Sequence, residues 1–220
     1  MLASELITDL IPPLKTSDTV QKAMNWMADF RVNHLPIVNQ SVLLGVISEE
    51  DIIEQNEPNE PIGNQQLSGQ LLYVNEFQHI YDVIRLVSEQ NLTIVPVLDE
   101  KQNYLGLISI HDLVQHMANL GALSNPGAII VLELAVRDYS LAEIARIVES
   151  NNAIILSSYI SSHPDSMRME LTLKLNTTDI GLIMNDFERF KYTIKGSFHH
   201  TSEHDTARDN FDSLMKYLDI

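Results

Sequence analysis

The chain has 220 residues, 45% of them hydrophobic and 20% charged, which supplies enough apolar material for one large domain or two ordinary ones. Its formal net charge of −16 at pH 7 repels nucleic-acid backbones and anionic membrane surfaces. A small phosphate ligand stays compatible with this charge, because the N–H groups at a helix N-terminus bind it locally. Cysteine is absent, which excludes disulfides, thiolate nucleophiles and cysteine-bound metals.

The first ten residues, MLASELITDL, carry acidic side chains where a signal peptide needs a basic stretch. No apolar run in the sequence approaches the about 18 residues of a membrane-spanning helix. We therefore expect a cytoplasmic protein that binds neither membranes nor nucleic acid.

An internal repeat decides the architecture of the first half of the chain. The segment LPIVNQSVLLGVISEEDII, residues 35–53, matches VPVLDEKQNYLGLISIHDLV, residues 95–114, with one inserted residue in the turn. The matched positions are Pro36 and Pro96, Gly45 and Gly106, Ser48 and Ser109, and Asp51 and Asp112. Two copies with proline, glycine, serine and aspartate at matching positions predict two domains of the same kind.

Each copy predicts the order helix, strand, strand, helix. Apolar residues at the spacing of one helix face precede both copies: Val20, Ala23, Met24 and Met27 in the first, and Ile80, Val83, Ile84 and Val87 in the second. Strands are predicted over residues 35–38 and 42–47, and over 95–98 and 104–108, with polar turns between them. The last helix begins at Ser48 or Ser109, because serine is a good N-cap residue and acidic residues follow it.

This order, with the pattern hP…G-h-I-S-x-x-D, resembles the CBS domain, and two copies resemble a Bateman module. The resemblance covers roughly residues 1–120, with one repeat over 1–60 and the other over 61–121. Residues 57–69, EPNEPIGNQQLSG, are predicted to be the linker between them.

After GALSNPG at residues 121–127 the pattern changes to βαββαβ, a ferredoxin-like order, over residues 127–200. Strands are predicted over 128–136, 153–160, 167–175 and 192–198. The first helix carries Leu141, Ile144, Ala145 and Val148 on one face, and the second, from Thr178, carries Ile183, Met184 and Phe187. The third strand alternates strictly, with Met167, Met169, Leu171, Leu173 and Leu175 on the buried side. The fold class is therefore α+β.

The third segment is similar to ACT domains, and the order CBS-CBS-ACT resembles acetoin-utilisation-type regulatory proteins. ACT domains usually bind small effectors at a glycine in the loop before the first helix, where this chain has Ser140. A structural or dimerising role is therefore favoured over effector binding. Residues 201–220 predict an amphipathic helix that docks on its own chain or on a partner, with Ala207, Phe211, Leu214, Met215 and Leu218 on one face.

The strongest candidate site is GLISIHD at residues 106–112. A serine hydroxyl and free helix N–H groups can bind a phosphate, and an aspartate one turn later can accept hydrogen bonds from ribose. The resemblance implies these roles for Ser109 and Asp112, and adenine contacts for Thr93, Val95 and Pro96. His111 is the histidine expected to contact a ligand.

The first copy offers Ser48 and Asp51, with Leu35 and Pro36 near the base. Glu49 and Glu50 lie between its serine and aspartate and would crowd a phosphate. We therefore rank the second site higher, and expect a ligand of low charge, AMP or an adenosine derivative such as S-adenosylmethionine, over ATP.

Two alternatives stay open. Both serines could be helix caps alone, in which case the pair is a ligand-independent dimerisation or protein-interaction module. A metal site is not favoured, because no zinc-type motif frames the cluster His199, His200, Glu203, His204 and Asp205.

Lys15, Arg31 and Arg85 are expected to be solvated surface charges. With no catalytic motif in the sequence, the prediction is a non-enzymatic regulator without a required cofactor, a homodimer through the CBS pair that senses an adenine nucleotide and regulates a protein partner.

Overall fold

The protein is described by a computed structural model that covers residues 1–53, 57–64, 72–162 and 167–199. The chain divides into two compact units, Met1–His116 and Met117–Ile220. The helix predicted over residues 201–220 lies outside the described residues.

The first repeat is a β-hairpin flanked by helices. Its elements are α1 (Val20–Phe30), β1 (His34–Asn39), β2 (Val42–Ser48) and α2 (Glu49–Ile53). The strands pair antiparallel and are joined by a tight turn in which Gln40 has a φ of 56°. Both strands begin and end within one residue of the sequence prediction.

The second repeat has the same order, preceded by one short strand. Its elements are β3 (Val74–Asn75), α3 (Ile80–Gln90), β4 (Ile94–Leu98), β5 (Tyr104–Ser109) and α4 (Ile110–Leu120). The sheet order is β3-β4-β5, with β4 and β5 antiparallel. The predicted apolar faces of α1 and α3 pack inward, since Ala23 and Val83 are fully buried.

Short segments outside the hairpins complete the two cores. The 3₁₀ turn Ala3–Leu6 at the start of the chain packs into the core of the second repeat, where Leu6 is buried. The turn Ile62–Asn64 packs into the core of the first repeat, where Ile62 is fully buried. Its N–H donates to the Asp18 carbonyl at 2.8 Å. Ile62, in the described part of the predicted linker, therefore belongs to the core of the first repeat. It is an apolar residue in a polar stretch, and a backbone hydrogen bond holds it in place.

The second unit is a four-stranded antiparallel sheet with two helices. Its elements are β6 (Ile129–Ala135), α5 (Leu141–Ser150), β7 (Ile155–Ser162), β8 (Arg168–Leu175), α6 (Gly181–Arg189) and β9 (Thr193–Phe198). The strand order β7-β8-β6-β9 confirms the predicted ferredoxin-like βαββαβ arrangement. The core lies between the helices and the facing side chains of β6 and β8.

Two predicted core positions of the second unit are exposed. Leu141 is 41% exposed because it is the first residue of α5, and Met167 is 87% exposed because it precedes the first residue of β8. Ile147, which the sequence pattern missed, is buried on α5. Helix α6 begins at Gly181, three residues after the predicted start.

None of the helices within the described ranges combines the length and the apolar character needed to cross a membrane.

Candidate functional site

A serine and an aspartate meet where β5 ends and α4 begins. The Ser109 hydroxyl donates to Oδ2 of Asp112 at 2.7 Å, and the Asp112 backbone N–H donates to Ser109 Oγ at 3.1 Å. Ser109 is only 5% exposed, so its hydroxyl depends on these protein partners.

The first repeat has the same arrangement between β2 and α2. Ser48 Oγ donates to Oδ2 of Asp51 at 2.7 Å, and the Asp51 N–H donates back at 3.1 Å. The Ser48 backbone N–H also donates to this carboxylate, at 2.9 Å, which completes a reciprocal capping box. Both serines therefore cap a helix, whether or not a ligand binds.

A cavity of about 330 Å³ opens beside the second serine. This volume is at the lower end of the range for small-molecule sites, about 300–1,000 Å³. Three parts of the first unit form the wall: Thr8, Leu10 and Ile11 from the N-terminal segment; Phe30, Arg31 and Val32 from the end of α1; and Ser109, Ile110, His111 and Asp112 from the start of α4. The site thus draws on both repeats.

Gly106 explains how the N-terminal segment reaches this wall. A Cβ at position 106 would lie 2.4 Å from Cγ2 of Ile7, so only glycine permits this contact. The next residue, Thr8, donates its N–H to the Leu107 carbonyl at 2.9 Å. The glycine of the repeat motif thereby positions Thr8 at the cavity.

Arg31 supplies the cation of the cavity. It ends α1 in the left-handed conformation, with φ 55° and ψ 46°, and its N–H donates to the carbonyls of Met27 and Ala28. Arg31 is exposed, as expected of the solvated surface charge that the sequence predicts at position 31, and it is also one of the residues that line the cavity.

His111 contributes a second polar group to the cavity wall. Its Nε2 lies 3.0 Å from the amide nitrogen Nε2 of Gln115, one turn later on α4. The two side chains are therefore within hydrogen-bonding distance of each other.

Thr93 lies at a junction between the repeats. Its Oγ1 accepts the Asn33 backbone N–H at 2.9 Å and lies 3.1 Å from Nδ1 of His34. Its own N–H donates to the same Nδ1 at 3.3 Å. Burial lowers the pKa of His34, and the nearby carboxylates of Asp51 and Glu50 oppose this only in part. The neutral ring therefore links Thr93 to the first repeat.

Four of the five residues that the resemblance placed near adenine lie in the central strands β1 and β4. Leu35 and Val95 are fully buried, one in each core, and Pro36 and Pro96 are buried beside them. Among the described residues, the cavity brings together Ser109, His111 and Asp112, but its wall contains none of Thr93, Val95 and Pro96.

A second cavity, of about 470 Å³, lies in the second unit at the loop between β6 and α5. Ser140, which the resemblance to ACT domains matches with their glycine, is the N-cap of α5 and accepts the Glu143 N–H at 3.3 Å. The Tyr192 hydroxyl donates to Glu143 Oε2 at 2.8 Å. Burial, together with this carboxylate, raises the pKa of Tyr192 to about 12.

Within the part of the chain that the structure describes, no three histidine, aspartate or glutamate side chains converge as metal ligands. Of the histidine cluster noted in the sequence, only His199 lies in a described range.

Comparison with known proteins agrees with the repeat architecture. The family model of the CBS domain matches residues 3–56 and again residues 67–119. An uncharacterized protein of Methanocaldococcus jannaschii is 26% identical over 113 residues, which cover 51% of this chain and 42% of that protein. This chain therefore spans less than half of that relative's length.

Two solved structures are each similar to about half of the chain. A CBS domain pair/ACT domain protein of Thermotoga maritima is 22% identical, with a TM-score of 0.49 over 54% of this chain and 98% of that one. A structure of CBSX2 in complex with AMP is 20% identical, with a TM-score of 0.45 over 54% of this chain and 96% of that one. On the two matches of the family model and the two repeats with one fold, the chain is a tandem CBS-domain protein.

Proposed function

We propose that the protein is a cytoplasmic, non-enzymatic regulator whose second CBS repeat binds an adenine nucleotide in the cavity beside Ser109 and Asp112. Occupancy of the cavity would change the action of the protein on a partner. The observation that carries the proposal is that both motif residues line a cavity of ligand size to which both repeats contribute.

Each wall of the cavity suits one part of a nucleotide. Asp112 uses Oδ2 for the Ser109 hydroxyl, and a carboxylate has further lone pairs to accept from ribose hydroxyls. Phe30, beside Ile11 and Val32, offers an aromatic ring and apolar surface to the base. Thr8 and Arg31 offer a hydroxyl and a cation to the phosphate.

The charge of the chain favours AMP over ATP. The cavity wall holds one arginine and one aspartate, within a chain of net charge −16. Each further phosphate adds negative charge to a field that is already negative. The first repeat is less suited still, since Glu49 and Glu50 occupy the first turn of α2.

Calorimetric titration with AMP, ATP and S-adenosylmethionine tests the proposal. We expect AMP and S-adenosylmethionine to bind more tightly than ATP. Asp112→Ala should abolish binding, and Asp51→Ala, the matched change in the first repeat, should leave the second site intact. Absence of heat and of a thermal shift with all three ligands would overturn the proposal, as would equal loss of binding in both variants.

A second function, ligand-independent assembly, is favoured by α4. Ile110, Val114 and Met117 lie on one helical face and are 41%, 60% and 43% exposed. A homodimer through the CBS pair would cover this apolar face. Its action on a partner would then need no ligand, because the Ser–Asp pairs are satisfied as caps.

Sedimentation velocity of Val114→Glu tests this second function. We expect the variant to be monomeric and Gln90→Glu, an exposed change on α3, to remain a dimer. A monomeric wild-type protein would dismiss the assembly function. A dimer and a partner interaction that survive Asp112→Ala unchanged would favour it over nucleotide sensing.

A further inference from the structure

In the described part of the chain, the two helices of the second unit pack on one face of its sheet. Along β6 the side chains alternate, so Ile130 is fully buried in the core whereas Ile129 is only partly buried. Ile129 pairs with Lys174 on β8 and with Phe198 on β9. Since directly opposite residues of paired strands share a face, these three side chains lie on the other, open face of the sheet.

A cavity of about 710 Å³ lies at this end of the open face. The three residues of the open face line it together with the loop 123–127. The Ser157 hydroxyl donates to the Gly121 carbonyl at 2.9 Å, which holds the start of this loop at the sheet. Phe198 and Leu123 are 62% and 65% exposed. The cavity therefore presents two large apolar side chains that the described part of the chain leaves uncovered.

The cavity wall lacks the negative charge that dominates the chain. Its described residues include Lys174 and His199 but no aspartate or glutamate, although the chain has 30 acidic residues. The Lys174 ammonium donates to the Gly127 carbonyl at 2.9 Å and forms none of the ion pairs among the described residues. An ammonium has three N–H donors, so it can still pair with a carboxylate. The cavity thus fits a partner that combines an apolar side with negative charge.

The chain itself supplies such a partner at the edge of the cavity. Strand β9 ends at Phe198, and the next residue, His199, lines the cavity. Residues 201–220 follow directly and carry five acidic and two basic side chains. Their sequence has the pattern of an amphipathic helix. Its apolar stripe consists of Ala207, Phe211, Leu214, Met215 and Leu218.

Two physical reasons favour this segment over a separate partner. A single helix of this length is only marginally stable in water and gains stability when its apolar stripe is covered. The stripe would be about 17 Å long, which is shorter than the about 23 Å of β6, so the sheet can cover all of it. The segment is also tethered next to the cavity, which gives it an effective concentration on the order of millimolar.

We propose that residues 201–220 form a helix that docks on the open face of its own sheet, with the apolar stripe against Leu123 and Phe198. The cavity is then an intramolecular docking site and not a ligand pocket.

Hydrogen exchange of the full chain, measured by mass spectrometry, tests the helix. We expect the amides of residues 205–218 to exchange at least about tenfold more slowly than those of an unstructured chain. Leu214→Glu places a charge in the apolar stripe and should remove this protection. Ser213→Glu adds the same charge on the opposite side of the helix and should keep it. Absence of protection in the wild type, or the same protection in both variants, would overturn the proposal.

A second pair of variants tests the docking site. Leu123→Glu changes the cavity wall, and Leu182→Glu changes an equally exposed leucine on α6, 72% exposed and outside the wall. Only Leu123→Glu should remove the protection of residues 205–218. If protection survives in Leu123→Glu, the helix docks elsewhere and the proposal is wrong. Thermal unfolding checks that both variants are folded.

Mixing two variants distinguishes docking within one chain from docking on a second copy. Leu214→Glu keeps the cavity and loses the stripe, whereas Leu123→Glu keeps the stripe and loses the cavity. The two chains are unfolded and refolded together, and their C-terminal peptides differ in mass. We expect neither segment to be protected in the mixture. Recovered protection of the Leu123→Glu segment would show docking on a second copy and would overturn the proposal.

Discussion

Ser109 and Asp112 exchange two hydrogen bonds across the first turn of α4, with the serine hydroxyl 2.7 Å from the carboxylate. The same two residues line the cavity of the first unit. Helix capping and the candidate ligand site therefore share their atoms, and substitutions there must be interpreted for stability and for binding separately.

The caps are predicted to contribute equally in the two repeats. Ser109→Ala and Ser48→Ala should each lower the free energy of unfolding by about 1 kcal/mol, because each removes the side-chain acceptor of one backbone N–H in the first turn of a helix. Denaturant unfolding monitored by circular dichroism measures both. A loss at only one serine would contradict the equivalence of the caps.

Gly106→Ala is predicted to destabilise the first unit by about 1–3 kcal/mol, because its new methyl group would overlap Ile7. Ile7→Ala makes space for that methyl group. In a double-mutant cycle the Gly106→Ala cost should therefore be smaller in the Ile7→Ala background. Equal costs in both backgrounds would show that the close contact with Ile7 is unimportant.

His34 is predicted to make stability depend on pH. Burial lowers its pKa in the folded protein below the ordinary value of 6.5, so the unfolded chain binds the proton first. The stability supplied by the neutral ring is complete above pH 6.5 and is lost as the pH falls through the lower folded-state value.

Two measurements check the behaviour of His34. Its titration followed by NMR should give a pKa below 6.5, and His34→Gln should flatten the fall in unfolding free energy on acidification. A folded-state pKa at or above 6.5 would contradict the prediction.

Ile62 is predicted to be a core residue of the first repeat. Ile62→Ala should lower the free energy of unfolding by about 2–5 kcal/mol, as for other buried aliphatic truncations. Leu6→Ala, in the core of the second repeat, is the matched change and should cost a similar amount. A cost for Ile62→Ala below about 0.5 kcal/mol, typical of a surface substitution, would mean that residues 57–64 are only a tether.

Much of the fold follows from local patterns in the sequence. The apolar and turn residues of the strands predict the two hairpins, and the spacing of apolar residues predicts the buried faces of α1 and α3. The same kinds of pattern in residues 127–200 predict the ferredoxin-like order of the second unit. The exposure of Leu141 and Met167 does not follow from periodicity, because burial also requires a neighbour opposite each position. Periodicity marks a face but not where the opposing layer ends.

Only those residues of the candidate site that lie close together in the sequence could be predicted from it. Ser109, His111 and Asp112 are found by a motif within one turn of α4. Thr8 and Arg31 reach the same cavity through tertiary contacts that no spacing encodes. One signal was available for Arg31: aligning the repeats places it over Asn91, a residue type suited to a left-handed helix end, so the cation stands out as the departure.

The exchange of short segments between the cores has a consequence for folding during synthesis. The core that holds Ile62 also contains Ile94 and Leu107, and the core that holds Leu6 also contains Leu113. Neither core can close until the ribosome has released most of the second repeat. During synthesis, the apolar residues of the first repeat therefore stay exposed until the second repeat has been made. We expect the two repeats to fold as one cooperative unit and not one after the other.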